Sequence, residues 1–283
     1  MTFPYQFSLL ASFFLTIVII LVLMPVAQHI GLVDRPNHRK THDGAVPLIG
    51  GIAMFLALSF SVLTLDFSIN WLRPMFAGSL ILIVVGVLDD LHELSATTRF
   101  GAQIVATGIM AMMGGVVLND FGHLVSTGFV FETGVVAIPV TIFAAIGVIN
   151  ALNMMDGVDG LAGLVSIVSV IGMIIIAYAA GQSHVLMMLG LMAAVLAAFL
   201  IFNMRFNRPR ALIFMGDAGS MFIGFLLSWF FITLSQGEGR AMSPVIALWL
   251  FAVPLMETLT MMIRRVRRGR SPFHADREHL HHM

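Results

Sequence analysis

Apolar residues occupy this chain in long blocks separated by short polar stretches. The pattern shows neither the two-residue alternation of a half-buried strand nor the one-sided stripe of a surface helix. A helix needs about 20 mostly apolar residues to cross the hydrocarbon core of a bilayer. Nine blocks approach that length: 7–30, 48–65, 71–88, 100–118, 135–152, 160–180, 185–203, 218–235 and 243–263. Lipid offers no partner to a free backbone N–H or C=O, so these blocks are expected as helices and not as open strands. The expected architecture is all-α: a single polytopic transmembrane domain over residues 1–283, with about nine membrane helices. Residues 7–30 read as a retained first span, because no basic run precedes them and no small-residue cleavage site follows.

Composition agrees with a lipid solvent. Of 283 residues, 59% are hydrophobic and 11% charged, far more apolar than a soluble domain of this length. With a formal net charge of zero, no basic excess points to nucleic acid. The lack of cysteine excludes disulfides, thiolate metal sites and cysteine nucleophiles.

Charge then orients the blocks. With the N-terminus outside, alternate connections place Arg35, Arg39, Lys40, Arg99, Arg205, Arg208, Arg210, Arg264, Arg265, Arg267, Arg268, Arg270 and Arg277 on one side. Only Arg73 and Arg240 fall on the other. Basic residues favour the cytoplasmic side of short connections, so the expected topology is N-out, C-in. Most acids share that side, including Asp34, Asp43, Asp89, Asp90, Glu93, Asp156, Asp159, Asp217, Asp276 and Glu278, while Glu257 lies inside the last block. A bias in Lys and Arg does not by itself draw carboxylates inward. Any chemistry is therefore expected at the cytoplasmic face.

Five stretches carry candidate chemistry. Asp89-Asp90 closes an apolar block, where a helix C-terminus opposes negative charge and two adjacent carboxylates repel. A bound cation or basic partner would relieve both, and a solvated helix end is the plainer reading. Asn150-Ala151-Leu152-Asn153-Met154-Met155-Asp156-Gly157-Val158-Asp159-Gly160-Leu161 joins two spans. Its amides and carboxylates suit a hard cation such as Mg²⁺, or an ordinary turn held by Asx hydrogen bonds. In Phe214-Met215-Gly216-Asp217-Ala218-Gly219-Ser220, Asp217 reads as a helix N-cap or as a metal ligand beside a helix N-terminus that favours phosphate.

The chain closes on His274-Ala275-Asp276-Arg277-Glu278-His279-Leu280-His281-His282, a histidine-rich run suited to phosphate, metal or proton-transfer chemistry. The first polar connection, with Lys40 and His42, is basic enough to attract an anionic head group, or is simply a solvated topogenic loop.

Together these stretches resemble the polyprenyl-phosphate N-acetylhexosamine-1-phosphate transferases, and most closely the bacterial enzymes that join N-acetylglucosamine 1-phosphate to undecaprenyl phosphate. The resemblance runs from Arg39-Lys40 to His282 and rests on the Asn150–Leu161 stretch, on Met215–Ser220 and on the His279-Leu280-His281-His282 ending. It implies a reaction in which a UDP-N-acetylhexosamine and a polyprenyl phosphate give a lipid diphosphate sugar and UMP. It also implies Mg²⁺ or Mn²⁺, a bacterial inner-membrane location, a homodimer as one assembly and a role opening a surface polysaccharide pathway of O-antigen or enterobacterial common antigen type. Carried over, Asp217 and Asn153 would hold the metal. Asp89 or Asp90 would orient or deprotonate the lipid phosphate. Asp156 and Asp159 would shape the nucleotide and metal site, with Asn150 among the substrate-binding residues. His279, His281 and His282 would contact the sugar nucleotide, and Lys40 and His42 its phosphates. The resemblance further implies membrane segments beyond Met283.

Other readings compete with this one. The same chemistry could act on another UDP-N-acetylhexosamine or on a UDP-muramoyl-pentapeptide. An ion-coupled transporter would place ionisable groups near the bilayer midplane, where only Glu257 falls. A scaffold protein would bind partners and release no UMP.

Overall fold

The computed structural model describes residues 3–34, 44–65, 68–122, 130–206, 208 and 210–267. Its helices are α1 (Phe3–Ile30), α2 (Gly50–Val62), α3 (Arg73–His92), α4 (Ala96–Met112), α5 (Ala137–Met155), α6 (Leu161–Ala179), α7 (Ser183–Asn203), α8 (Gly216–Ser235), α9 (Pro244–Leu250) and α10 (Ala252–Arg267). Strands β1 (Val33–Asp34) and β2 (Val46–Pro47) pair antiparallel, with Val33 opposite Pro47. This ribbon lies in the first polar connection, outside the expected spans.

Six segments, containing α1, α3, α5, α6, α7 and α8, are long and apolar enough to cross a membrane. The bent pair α9–α10 makes a seventh if taken as one span. The protein is a multi-pass helical membrane protein. Each expected block contains a helix, but three differ from a simple span. Helix α2 has 13 residues, or roughly 20 Å at 1.5 Å per residue. Its first turn is tied to protein: the Gly50 and Gly51 N–H groups donate to the carbonyls of Phe214 and Met215 at 3.0 and 3.1 Å. Helix α4 has 17 residues and carries Thr97, Thr98, Arg99, Gln103 and Thr107 among them.

The block expected at 243–263 is broken between α9 and α10 by 79°. Pro254 has no N–H for the Leu250 carbonyl four residues back, and its ring crowds that carbonyl. Ser169 Oγ of α6 donates to Leu250 O instead, at 2.8 Å, so the freed acceptor is satisfied inside the protein. Helix α10 then exposes Val253, Met256, Leu259, Ile263 and Val266 and buries Glu257 and Arg265. Its apolar face looks outward, as a lipid solvent requires.

Helix α8 is the axis of the bundle. Of its most apolar window 94% is buried, against 17% for α1. A helix apolar on every side belongs in the interior, and α8 fills it with Phe222, Phe225, Trp229 and Phe230. Small residues bring its neighbours close. A Cβ on Gly86 of α3 would overlap the Ala218 backbone, and one on Gly51 of α2 would overlap Gly219. These contacts hold α2 and α3 against the first turns of α8, where the candidate chemistry lies.

Candidate active site

The C-terminal turns of α3 and α5 meet the N-terminus of α8 at one end of the bundle. Asp89 and Asp90 lie within α3, which continues to His92, about one turn past the expected end at residue 88. Asp90 Oδ1 accepts from the Asp217 N–H at 2.9 Å and Oδ2 from the Ala218 N–H at 3.4 Å. The first turn of a helix carries unsatisfied N–H groups and partial positive charge. Asp90 therefore caps α8 from another helix. Asp217 sits inside the first turn and is not its N-cap, a position held by Met215 without a side-chain cap. Gly216 has φ 73° and a Cβ there would lie 2.7 Å from Asp90 Oδ2, so this turn needs glycine on both counts.

Asn150 and Asn153 lie in the last turns of α5, not in the turn that follows, and a separation of three places them on one face. The Asn153 amide nitrogen donates to Asp217 Oδ1 at 2.5 Å and to Ser220 Oγ at 2.8 Å. Because a carboxylate only accepts, this sets the amide's orientation and turns its oxygen away from Asp217.

Asp89 is 5% exposed. Its Oδ1 accepts from the Leu94 N–H at 2.7 Å and its Oδ2 from Arg99 at 3.0 Å. The same guanidinium lies 3.9 Å from Asp217 Oδ2, so Arg99 bridges the two carboxylates. Asp159 is drawn to the rim. It pairs with Arg205 at 2.8 Å and accepts from the Ala211 N–H at 3.2 Å. Asn203, 3% exposed, ties the same two loops by accepting from Gly160 N–H and donating to Ile213 O.

Five carboxylates thus share this end with two guanidiniums within ion-pair distance among the described residues. Burial pushes the Asp156 carboxyl well above the usual carboxylate range, and the negative charges of Asp217, Asp90 and Asp159 push the same way, against the Gly216 backbone N–H. Part of its surface is accessible, but protein surrounds it closely enough for these charges to act. Among the described residues, no three His, Asp or Glu side chains form a ready-made ligand cage. Mg²⁺ does not need one. It binds through one or two carboxylates and completes its shell with phosphate and water. Asp217 is a hard donor in a region short of positive charge and fits that cation; the Asn153 oxygen would join it only with the amide turned over, which Ser220 Oγ, able to donate as well as accept, permits.

Of the sequence-based candidates, Asp89, Asp90, Asn150, Asn153, Asp156 and Asp217 gather at one end, with Asp159 at the edge. Lys40, His42, His279, His281 and His282 lie outside the described residues. The sequence reading gave Arg99 and Ser220 no site role, and missed Gln103 and Asn203 altogether. Arg99 had a signal: a cation in the first turn of a helix runs against the helix dipole and calls for a carboxylate partner. Gln103, four residues on, is on the same face of α4.

A multi-pass helical protein with a half-buried carboxylate cluster and paired amides at one end of the bundle is the class that fold and site define. Residues 72–235 match the family model described as glycosyl transferase family 4. A Yersinia pestis protein is 38% identical over 276 residues, covering 98% of this chain and 75% of its own length. An Escherichia coli (strain K12) protein is 35% identical over 276 residues with the same coverage, and a Haemophilus influenzae protein 36% over 278 residues, 98% of this chain and 78% of its own. All three are named undecaprenyl-phosphate alpha-N-acetylglucosaminyl 1-phosphate transferase. The chain belongs to glycosyl transferase family 4.

Proposed function

We propose that this enzyme transfers N-acetylglucosamine 1-phosphate from UDP-N-acetylglucosamine to undecaprenyl phosphate, releasing UMP. The observation that carries the reading is the carboxylate cluster around the N-terminus of α8, in a chain alike over 98% of its length to proteins bearing that name. A surplus of carboxylates repels two phosphorylated substrates unless a cation joins them. Asp217, with Asn153 once its amide turns its oxygen inward, would hold a divalent ion, Mg²⁺ or Mn²⁺, which would supply charge neutralisation of the diphosphate.

The residues do the rest. Arg99, held by Asp89, offers a guanidinium to phosphate oxygens. Asp90, more accessible than Asp89, holds the first turn of α8 and is placed to orient the lipid phosphate or take its proton. An oxygen of the lipid phosphate attacks the phosphorus that bears the sugar. The bond from that phosphorus to the bridging oxygen breaks, and the bridging oxygen leaves with UMP. Asp156 shapes the floor of the site. Asp159, through Arg205, holds its rim. Lys40, His42, His279, His281 and His282 complete the contacts to the nucleotide sugar.

The same reading takes all nine helical blocks as crossing or re-entering the membrane, N-out and C-in, with the site on the cytoplasmic side of a bacterial inner membrane. A homodimer is compatible with it. The clustering of acids at one end, away from mid-depth, speaks against an ion-coupled transporter. The test is incubation of the purified protein with Mg²⁺, undecaprenyl phosphate and UDP-N-acetylglucosamine, its galacto epimer or UDP-muramoyl-pentapeptide. UMP and a lipid diphosphate sugar should form with the first donor in preference to the others. No product with any donor would sink the proposal.

A further inference from the structure

Beside the carboxylates lies a small pocket lined by Arg99, Phe100, Gln103, Asn150, Asn153 and Met221. Gln103 is 2% exposed, an amide on α4 buried between α5 and α8. Its oxygen accepts from Asn150 Nδ2 at 2.7 Å. Its nitrogen donates to Met221 Sδ at 3.5 Å, a weak acceptor. A buried amide is costly unless its groups are satisfied, so its presence here calls for an account that packing alone does not give.

The orientation of this pair follows from the neighbours. Asn150 Nδ2 also donates to Ile146 O at 2.8 Å, and a carbonyl can only accept. Turning the Asn150 amide over would set its oxygen against that carbonyl. Turning Gln103 over would set its oxygen against the methionine sulfur. Both N–H bonds of Asn150 are therefore committed to protein, one to Ile146 and one to Gln103. The Asn150 oxygen keeps no hydrogen-bond partner among the described residues, and Asn150 lines the pocket. Asn153, one turn on, repeats the arrangement with its nitrogen committed to Asp217 and Ser220. Two amides on one helix face thus present acceptor oxygens and withhold their donors.

We propose that Gln103 is a positioning residue that locks the Asn150 amide so that its oxygen accepts a hydrogen bond from an N–H or O–H group of the nucleotide sugar. Phosphate oxygens cannot serve, because an acceptor does not bind an acceptor. The donor belongs either to the N-acetyl sugar or to the uridine, which offer the same chemistry. The inference rests on the substrate class proposed above.

The test measures binding of UDP-N-acetylglucosamine and of UDP to the solubilised protein in Mg²⁺, by calorimetry, for the parent, Gln103→Met, Asn150→Ala and the double variant. Gln103→Met keeps length and apolar packing, and its thermal midpoint checks folding. Affinity for UDP-N-acetylglucosamine should fall about tenfold in Gln103→Met, the scale of one buried hydrogen bond. In the Asn150→Ala background the same change should cost nothing further, because Gln103 acts through Asn150. UDP affinity falls in parallel if the donor is on uridine and stays at the parent value if it is on the sugar. The inference is overturned if Gln103→Met binds UDP-N-acetylglucosamine within about twofold of the parent, if its penalty persists in full on Asn150→Ala, or if the parent does not bind the nucleotide sugar. A parent that binds without releasing UMP removes the transfer reaction and leaves this inference standing.

Discussion

The two ends of the bundle are both polar and are built on opposite principles. At the end away from the site, Asp120 pairs with Arg240 at 3.0 Å. Gln236 accepts from the Asn119 and Asp120 N–H groups at 2.8 and 3.1 Å and donates to Asp120 O at 3.0 Å. Thr133 donates to the carbonyls of Leu118 and Asn119. Donors there meet acceptors, and Asp120 meets a cation. At the site end, Asp90 and Asp156 have no basic side chain within ion-pair distance among the described residues, and Arg99 serves two carboxylates. A satisfied network holds a structure together. An unbalanced one keeps free energy in reserve for a ligand, which is how functional sites differ from the scaffold around them.

Each variant below would break or sharpen that contrast. Asp217→Asn has the largest expected effect: turnover should fall by about a thousandfold or more, as for loss of a main electrostatic contact to a reacting group, while the protein still inserts and folds. Near-normal UMP release would remove the metal role. Gly86→Ala comes next. Its Cβ overlaps Ala218, so α3 and α8 must part, at a cost of about 1–3 kcal/mol, and Asp90 moves off the α8 N-terminus. Denaturation and turnover should both suffer; a loss of stability alone would mean that Asp90 is not held by this contact.

Gln236→Leu tests the other end. It strands four backbone groups and should cost about 1–3 kcal/mol of stability, with the KM for the nucleotide sugar unchanged. A shift in KM would show that the two ends are coupled. The smallest effect is expected from Asp156→Asn in metal-free protein. The folded carboxyl titrates above its unfolded range, so its protonated form favours folding. That contribution is complete below the unfolded pKa and is lost as pH rises through the folded one. At neutral pH without Mg²⁺ the variant should melt slightly higher than the parent, and acidifying the parent should narrow the difference. A lower midpoint for the variant would contradict the charge surplus.

Much of this was legible along the chain. Long apolar blocks are enough to place helices, because lipid leaves the backbone no other choice. Asp89-Asp90, the Asn150–Leu161 stretch and Met215–Ser220 announced themselves as polar groups at the ends of such blocks. Their pairing was not legible. Asp90 caps a helix that begins 126 positions later in the chain, and nothing local says so. Asp159 looked like its neighbour Asp156 but is neutralised by Arg205. The bend at Leu250 shows why local signals mislead. Pro254 announces it, yet Pro25 lies within the continuous helix α1. What differs near Leu250 is Ser169, which takes up the carbonyl that proline cannot serve.

The most direct test of the account is a titration of UMP release against free Mg²⁺, with the thermal midpoint followed in the same samples. The account predicts no release in EDTA and a recovery that tracks a rise in midpoint as the cation occupies the carboxylate end, with both responses lost in Asp217→Asn. Release that persists undiminished in EDTA, or a midpoint that rises equally in Asp217→Asn, would contradict it.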